Sequence, residues 1–378
     1  MNGARTIAVL TGSRAEFGLL RSVMRAIDAH ADLRLRTLVA GSHLIEPAET
    51  WRDVAQDFEI HARITMQHGD HATRADDARA LARGIEGTAS ALDKDTPDAL
   101  LVLGDRVEAF AGASAASIAG VPLAHLHGGD RAEGIADEAM RHAITKLAHV
   151  HFPATTLSAE RIERMGEDAE RIHMVGSPAI DELRDSDALD GDAWHELGEP
   201  SAIVLFHPDD THTESATCDT IASVLRDEHV LWLHPNHDAQ RDTIMLGIEH
   251  ARHALGTQLV VRGHLSRAAF VGALRRLGES GGVLIGNSSA GLIEAAALRV
   301  PTVNLGPRQS GRERANNVID VPSPDAVSIG EALRLARAID RGSITHPFGD
   351  GRTGERIASI LAQTDLRDPA LVRKRNAY

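Results

Sequence analysis

The chain has 378 residues, 43% hydrophobic and 25% charged, the composition of a soluble globular protein long enough for two ordinary domains. Its 54 acidic against 40 basic residues leave a formal charge of −14, which argues against non-specific nucleic-acid binding, and the single cysteine, Cys218, excludes an internal disulfide and a multi-cysteine zinc site. No apolar run reaches the roughly 18 residues of a membrane helix, and Met1–Arg5 leads into a strand without the apolar segment of a secretion signal, so no membrane partner and a cytoplasmic location are expected.

Short β-rich runs alternate with longer helical patterns, the sequence form of βαβ units around a parallel sheet. In the first half, strands are expected at Thr6–Leu10, Leu35–Ala40, Ala99–Leu103, Val121–Leu126 and Arg171–Val175, with helices near Glu16–Ala29, Arg74–Leu92, Val107–Ala119, Asp137–Leu147 and Leu157–Met165. Gly176-Ser-Pro178 and the acidic, helix-like Ala179–Leu197 form a hinge. The alternation then restarts. Strands are expected at Ala202–Phe206, Val230–Leu233, Gln258–Val261, Gly282–Ile285 and Pro301–Asn304, with helices near Ser215–Arg226, Asp238–Ala254, Ser266–Leu277 and Ala290–Leu298. Two similar-sized α/β halves with a cleft between them follow, spanning 1–177 and 178–352, with a C-terminal helix and tail at 353–378.

The segments that carry chemistry lie where apolar runs stop. At Leu10-Thr-Gly-Ser-Arg14 a strand passes through a glycine turn into a helix, so free N–H groups, the positive end of the helix dipole and Arg14 suit a phosphate. An ordinary junction with a solvated Arg14 fits equally well, and neither a Walker loop nor a G-x-G-x-x-G fingerprint is present. Asp105 and Arg106 follow the strand Ala99–Leu103. His125, His127, Asp130, Arg131 and Glu133 then precede a helix that carries Asp137, Glu138, Arg141 and His142. Clustered carboxylates near a helix start can have their proton affinities pushed apart, as an acid–base pair requires. Singly, each is as well read as a cap or a surface pair. The spacing matches no familiar metal-ligand pattern.

In the second half, Gly286-Asn-Ser-Ser289 enters a helix start with Glu294 one turn in. Hydroxyls and helix N–H groups bind phosphate oxygens, and a carboxylate can accept from ribose hydroxyls, although one serine could equally be an N-cap. His207 ends another strand, and Arg308, Arg312 and Arg314 lie in a Gly/Pro loop, with Arg308 the nearest to a strand end.

Thr11–Leu20, Gly104-Asp-Arg-Val-Glu108, Ile135–Lys146, Gly286-Asn-Ser-Ser289 and Arg308-Gln-Ser-Gly-Arg312 occur in the order seen in the UDP-N-acetylglucosamine 2-epimerase family. From about Ile7 to Val321 the chain resembles its hydrolysing branch, which releases UDP and N-acetylmannosamine for sialic-acid-type sugar synthesis. The resemblance implies an α/β fold of two Rossmann-like domains of the glycosyltransferase-B type with the nucleotide sugar in the cleft between them, a UDP-sugar substrate, no metal or nicotinamide cofactor, and a homodimer or homotetramer. It also implies elimination of UDP to a 2-acetamidoglucal followed by addition of water. By position it makes Asp105, Glu133 and Asp137 the acid–base residues. His207 and Arg308 become partners of the diphosphate or leaving oxygen, Arg14 a diphosphate or sugar contact, Arg106 and His142 further substrate contacts, and Ser288, Ser289 and Glu294 ligands of UDP. Some members carry glutamate where this chain has His127, so the second carboxylate falls to Asp130 or Glu133, with Glu133 favoured, or His127 itself takes the role. The same reaction on a UDP-2,4-diacetamido-trideoxy sugar, a non-hydrolysing epimerase, a glycosyltransferase of the same fold and a non-catalytic nucleotide-sugar sensor are the alternatives.

Overall fold

The computed structural model describes residues 3–46, 49–67, 73–131, 137–183, 186–209, 214–235, 241–263 and 265–377. The chain divides into two compact units, one built from Met1–Asp130, Ile135–Asp181 and Phe348–Tyr378, the other around Glu182–Pro347. Among the described residues, no helix is long and apolar enough to cross a membrane.

The first unit contains strands β1 (Arg5–Thr11), β2 (Leu33–Ala40), β3 (Ile60–Ile64), β4 (Ala99–Leu103), β5 (Leu123–Leu126) and β6 (Val150–Phe152), all parallel in the order β3-β2-β1-β4-β5-β6. The second contains β7 (Ala202–Leu205), β8 (Val230–Leu233), β9 (Leu259–Arg262), β10 (Val283–Gly286), β11 (Thr302–Leu305) and β12 (Val318–Val321), parallel in the order β12-β11-β10-β7-β8-β9. Counted within its own unit, each sheet has the doubly wound Rossmann order. Helices cover both faces, which is why the inner strands β4 and β10 are apolar along their whole length and buried at every residue.

Local signals set the helix starts. Ser13 caps helix Arg14–Ala29, and Thr73 forms a reciprocal capping box with Asp76 at the head of Arg74–Lys94. The core above β1 is closed by the C-terminal helix Thr353–Gln363. Its Ile357, Ala358 and Leu361 share one apolar cluster with Val23, Met24 and Ile27. Gly354 lies so close to the Ser22 carbonyl that a side chain there would collide with it. The tail beyond is tied down by Lys374, whose ammonium donates to the carbonyls of Thr145 (3.3 Å) and Ala148 (2.7 Å) and pairs with Glu167 Oε2 at 2.6 Å. Burial raises the proton affinity of Glu167, but hydrogen bonds from His151, Lys146 and Lys374 outweigh it and hold the carboxyl near pKa 2.

Several expected elements are corrected. Arg171–Val175 is not a strand: a 3-10 turn occupies Ala169–Arg171, and only one bridge, His151 to Ile172, forms. The Val175 N–H donates to the Pro153 carbonyl at 3.1 Å, but Pro153 has no N–H to return, so the ladder stops. Ala179–Leu197 is not one helix but a 3-10 segment at Pro178–Leu183 and a helix at Gly191–Glu196. Ala290–Leu298 splits into a 3-10 turn, Ser289–Gly291, and a four-residue helix, Glu294–Ala297. The Gly291 carbonyl there accepts from Thr302 Oγ1 (3.0 Å) and Asn317 Nδ2 (3.1 Å) instead of continuing a helical ladder. The helix expected at Asp238–Ala254 is present over Arg241–Leu255, and the part of that expectation at 238–240 lies outside the described residues. Strands β3, β6 and β12 and helices Trp51–Asp57 and Ala326–Ala338 were not anticipated.

Several of the described histidines are buried in the neutral form, His151 among them. Burial pushes His125 and His207 down to about 3, and His43 and His149 down to about 4. A histidine depressed in the folded state contributes stability that is present above its unfolded value of 6.5 and lost as pH falls towards the folded value. Thermal melts are therefore expected to show Tm falling steeply between pH 6.5 and 4; a flat profile across that window contradicts neutral burial.

Candidate functional site

In a doubly wound sheet the strand order reverses beside the first strand, and the loops leaving the two strands at that point diverge to opposite faces, opening a crevice at their carboxyl ends. The reversal falls between β1 and β4 in the first unit and between β7 and β10 in the second. The loops in question are Gly12–Ser13 and Gly104–Arg106, then Phe206–Asp209 and Asn287–Ser288.

At the first switch point Gly104 turns the chain with φ +74, and its N–H donates to the Leu126 carbonyl at 2.9 Å. His125, fully buried, donates from Nε2 to the Gly104 carbonyl at 2.8 Å and so braces the turn. Asp105, thrown out beyond it, forms an ion pair with the guanidinium of Arg141. The same guanidinium donates to the His127 carbonyl at 3.0 Å, and Arg141 is only 4% exposed. Thus one buried arginine joins the end of β4 to the end of β5. His127 adopts φ +62, a left-handed conformation that histidine tolerates better than most residues. Its Nδ1 lies 2.8 Å from Asp130 Oδ2 and its Nε2 3.0 Å from Ser177 Oγ. The other oxygen of Asp130 accepts from Ser158 Oγ at 2.7 Å, so both carboxylate oxygens are engaged.

A second cluster lies under Gly12. The Gly12 N–H donates to Glu16 Oε2 at 2.8 Å, and a side chain at Gly12 would collide with Glu108. Glu108, fully buried, accepts from Gln67 Nε2 at 3.1 Å and pairs with Arg106 at 3.4 Å. Burial, reinforced by the charge of Glu108 and opposed by the Gly12 hydrogen bond, pushes Glu16 up to about 8. Thr11 Oγ1 and His43 Nε2 sit 3.0 Å apart at the edge of this cluster.

The second switch point is built around Asn287. Its Oδ1 accepts from the His207 N–H at 2.7 Å while its Nδ2 donates to the His207 carbonyl at 2.8 Å, a reciprocal pair that locks the ends of β7 and β10 together. Its own carbonyl accepts from Arg308 Nη1 (3.2 Å) and Gln309 Nε2 (2.8 Å). Only glycine fits at 286, where φ is +142 and a Cβ would meet the Leu205 carbonyl. Ser288 Oγ accepts from the Ala290 N–H at 3.3 Å, which leaves its hydroxyl hydrogen to donate elsewhere. Arg314 folds the Arg308 loop onto itself. It donates to the carbonyls of Arg312 (2.6 Å) and Gln309 (3.2 Å) and is anchored by Asp320 at 2.6 Å. Burial, aided by the positive charge of Arg308, holds His207 neutral.

Asp105 and Arg106 thus sit at one reversal of strand order, with Arg14 heading the adjacent helix. His207, Ser288 and Ser289 sit at the other, with Glu294 and Arg308 in the segments that follow. Arg14 is exposed and paired with Asp53 at 3.3 Å. His142 Nε2 lies 3.2 Å from Glu138 one helical turn away. Asp137 opens helix Asp137–Leu147, and Glu133 lies outside the described residues. The turn at Ser289 is too short to supply the helix dipole expected of it. Arg141 and Asn287 lie in the segments singled out in the sequence but were given no role there, and Glu16, Glu108 and His43 were given none either. Among the described residues no group of three or more histidine, cysteine, aspartate or glutamate side chains is arranged to hold a metal.

A family profile described as UDP-N-acetylglucosamine 2-epimerase matches residues 25–362. The chain is 34% identical over 392 aligned positions to the UDP-N,N'-diacetylbacillosamine 2-epimerase (hydrolyzing) of Legionella pneumophila, covering 99% of this chain and 100% of that protein. It is 27% identical to the UDP-N-acetylglucosamine 2-epimerase of Neisseria meningitidis, covering 94% and 95%. The fold matches the crystal structure of Methanocaldococcus jannaschii UDP-GlcNAc 2-epimerase with TM-score 0.78 at 16% identity, covering 95% of this chain and 100% of that one.

Glu16, raised from 4.5 to about 8, contributes stability that is full below 4.5 and lost as pH rises towards 8. Glu16→Gln removes that loss while keeping an acceptor for Gly12. Its Tm relative to the parent is expected to rise between pH 5 and pH 8; a difference that does not change with pH contradicts a protonated buried Glu16.

Proposed function

The chain belongs to the UDP-N-acetylglucosamine 2-epimerase family, and on that premise we propose that it is a hydrolysing 2-epimerase of a UDP-2-acetamido sugar. The observation that carries this reading is the pairing of Asp105 with buried Arg141 at the end of β4, in a chain aligned along almost its whole length with a hydrolysing relative.

C2 of such a sugar has no neighbouring carbonyl, so its proton is not acidic enough for simple removal and return. Elimination avoids the difficulty. A base takes the C2 proton, the C1–O bond breaks, UDP leaves with the bonding pair, and a C1=C2 double bond forms. Water then adds its oxygen to C1 while an acid delivers a proton to C2 on the other face, giving UDP and the free 2-epimer. Asp105, Glu133 and Asp137 are the proposed acid–base set. The full engagement of Asp130 by His127 and Ser158 supports Glu133 as the second carboxylate, with Asp130 buttressing His127. Arg14, Arg106 and His142 are proposed contacts on the sugar side. Ser288, Ser289 and Glu294 are proposed ligands of UDP. Arg308, held by the Asn287 carbonyl, faces the diphosphate, and a neutral His207 donates a single N–H to the leaving oxygen.

The higher identity to the diacetylbacillosamine relative favours a second acetamido group on the sugar over plain UDP-N-acetylglucosamine. A cytoplasmic homodimer or homotetramer that supplies N-acetylmannosamine or its 4-acetamido counterpart to sialic-acid-type synthesis completes the proposal.

Proton NMR of the protein in D2O with each UDP-sugar is the test. Free UDP together with a manno-configured sugar deuterated at C2 is expected. An epimerised sugar still attached to UDP points to the non-hydrolysing reaction, and two unchanged substrates contradict the reading. Asp105→Asn is expected to lower turnover at least about a thousandfold, within the range of a lost acid–base group, with UDP affinity within about threefold of the parent. Near-normal turnover removes Asp105 from the chemistry.

A further inference from the structure

Glu294 is almost buried beside the second switch point, and only one of its oxygens is occupied. Oε1 accepts from Arg267 Nη1 at 2.7 Å, while Oε2 has no partner among the described residues. Arg267 heads helix Arg267–Glu279, which follows β9, whereas Glu294 follows β10, so the pair crosses from one strand end to another. Glu294 also lies in a four-residue helix, a segment too short to fix its rotamer by helical packing alone.

A carboxylate near a diphosphate carries an electrostatic cost, because like charges repel more strongly where water is excluded. A guanidinium bound to one oxygen removes most of that cost and fixes the plane of the carboxylate, leaving the other oxygen as a directed acceptor. Such a half-occupied carboxylate suits the hydroxyl of a ribose, which can donate where a deoxyribose cannot. Resting on the UDP reading above, we infer that Arg267 is a positioning residue that aims Glu294 Oε2 at a ribose hydroxyl and so makes the protein select ribonucleotides over deoxyribonucleotides. Arg267 itself does not touch the nucleotide in this arrangement. It acts through Glu294.

The test is calorimetric titration of the full-length protein and of Arg267→Met and Arg267→Lys with UDP and with 2'-deoxy-UDP and 3'-deoxy-UDP. A hydrogen bond to a charged acceptor corresponds to about tenfold in affinity or more. The parent is therefore expected to prefer UDP over at least one deoxy analogue by about that factor. Arg267→Met is expected to collapse the preference to within about threefold by weakening UDP more than that deoxy analogue, on top of a smaller loss common to all three ligands from the unneutralised Glu294 carboxylate. Arg267→Lys, which keeps the charge at Glu294, is expected to recover part of the preference. Retained binding of the deoxy analogue reports that the variant is folded. A preference unchanged in Arg267→Met overturns the inference, as does an equal loss of affinity for all three ligands, which marks a structural role. UDP binding by the parent with no preference overturns the inference and leaves the UDP reading standing; no UDP binding by the parent overturns both.

Discussion

The placing of the candidate site groups in this chain depends on a constraint of parallel sheets: each strand releases its following loop at the same edge, and at one place in a doubly wound sheet two adjacent loops turn away from each other. The chain makes that place twice, beside β1 and β4 and again beside β7 and β10. Backbone groups that would be paired elsewhere are left there to be satisfied by side chains, and the polar residues of both loops do that. Asn287 replaces two ladder hydrogen bonds between the ends of β7 and β10. His125 and Arg141 do comparable work at the ends of β4 and β5.

These braces explain why the site groups are held so firmly. Arg141 is buried and shared between Asp105 and the His127 carbonyl, so the acid–base candidate is oriented before any ligand arrives. Breaking one partner of a buried ion pair costs several kcal/mol, on the order of 3–5, because the other charge is stranded. The second unit uses the same device with Arg314, which clamps two carbonyls of the Arg308 loop against Asp320. In both units an arginine that is not itself aimed outward fixes the residue or loop that is.

How much of this was legible in the sequence follows from burial. Inner strands covered on both faces are continuous apolar runs, so Ala99–Leu103 and Val230–Leu233 appear with their observed bounds. The three strands that escaped, β3, β6 and β12, all lie at sheet edges. There one neighbour is missing and charged residues interrupt the run, as in Ile60-His-Ala-Arg-Ile64 and Val318-Ile-Asp-Val321. The candidate site residues were legible for the complementary reason: Asp105, His207 and Ser288 interrupt apolar runs abruptly at strand ends. Their partners were not. Arg141 is 36 residues from Asp105, and Arg267 is 27 residues from Glu294. Nothing in local pattern pairs them; only the order of strands does. The buried carboxylates Glu16 and Glu108 were hidden differently, since each sits in the first turn of a helix, where acidic residues are commonplace.

The proposed division of labour assigns sugar chemistry to the first unit's switch point and UDP to the second's. Hydrogen–deuterium exchange read by mass spectrometry, with and without saturating UDP, tests it most directly. Strong protection is expected in peptides spanning Gly286–Glu294 and Gly306–Gln309, with smaller changes across Gly104–Arg106 and His125–Asp130. Protection concentrated in the first unit's loops, with the Gly286–Glu294 segment unchanged, would contradict the assignment.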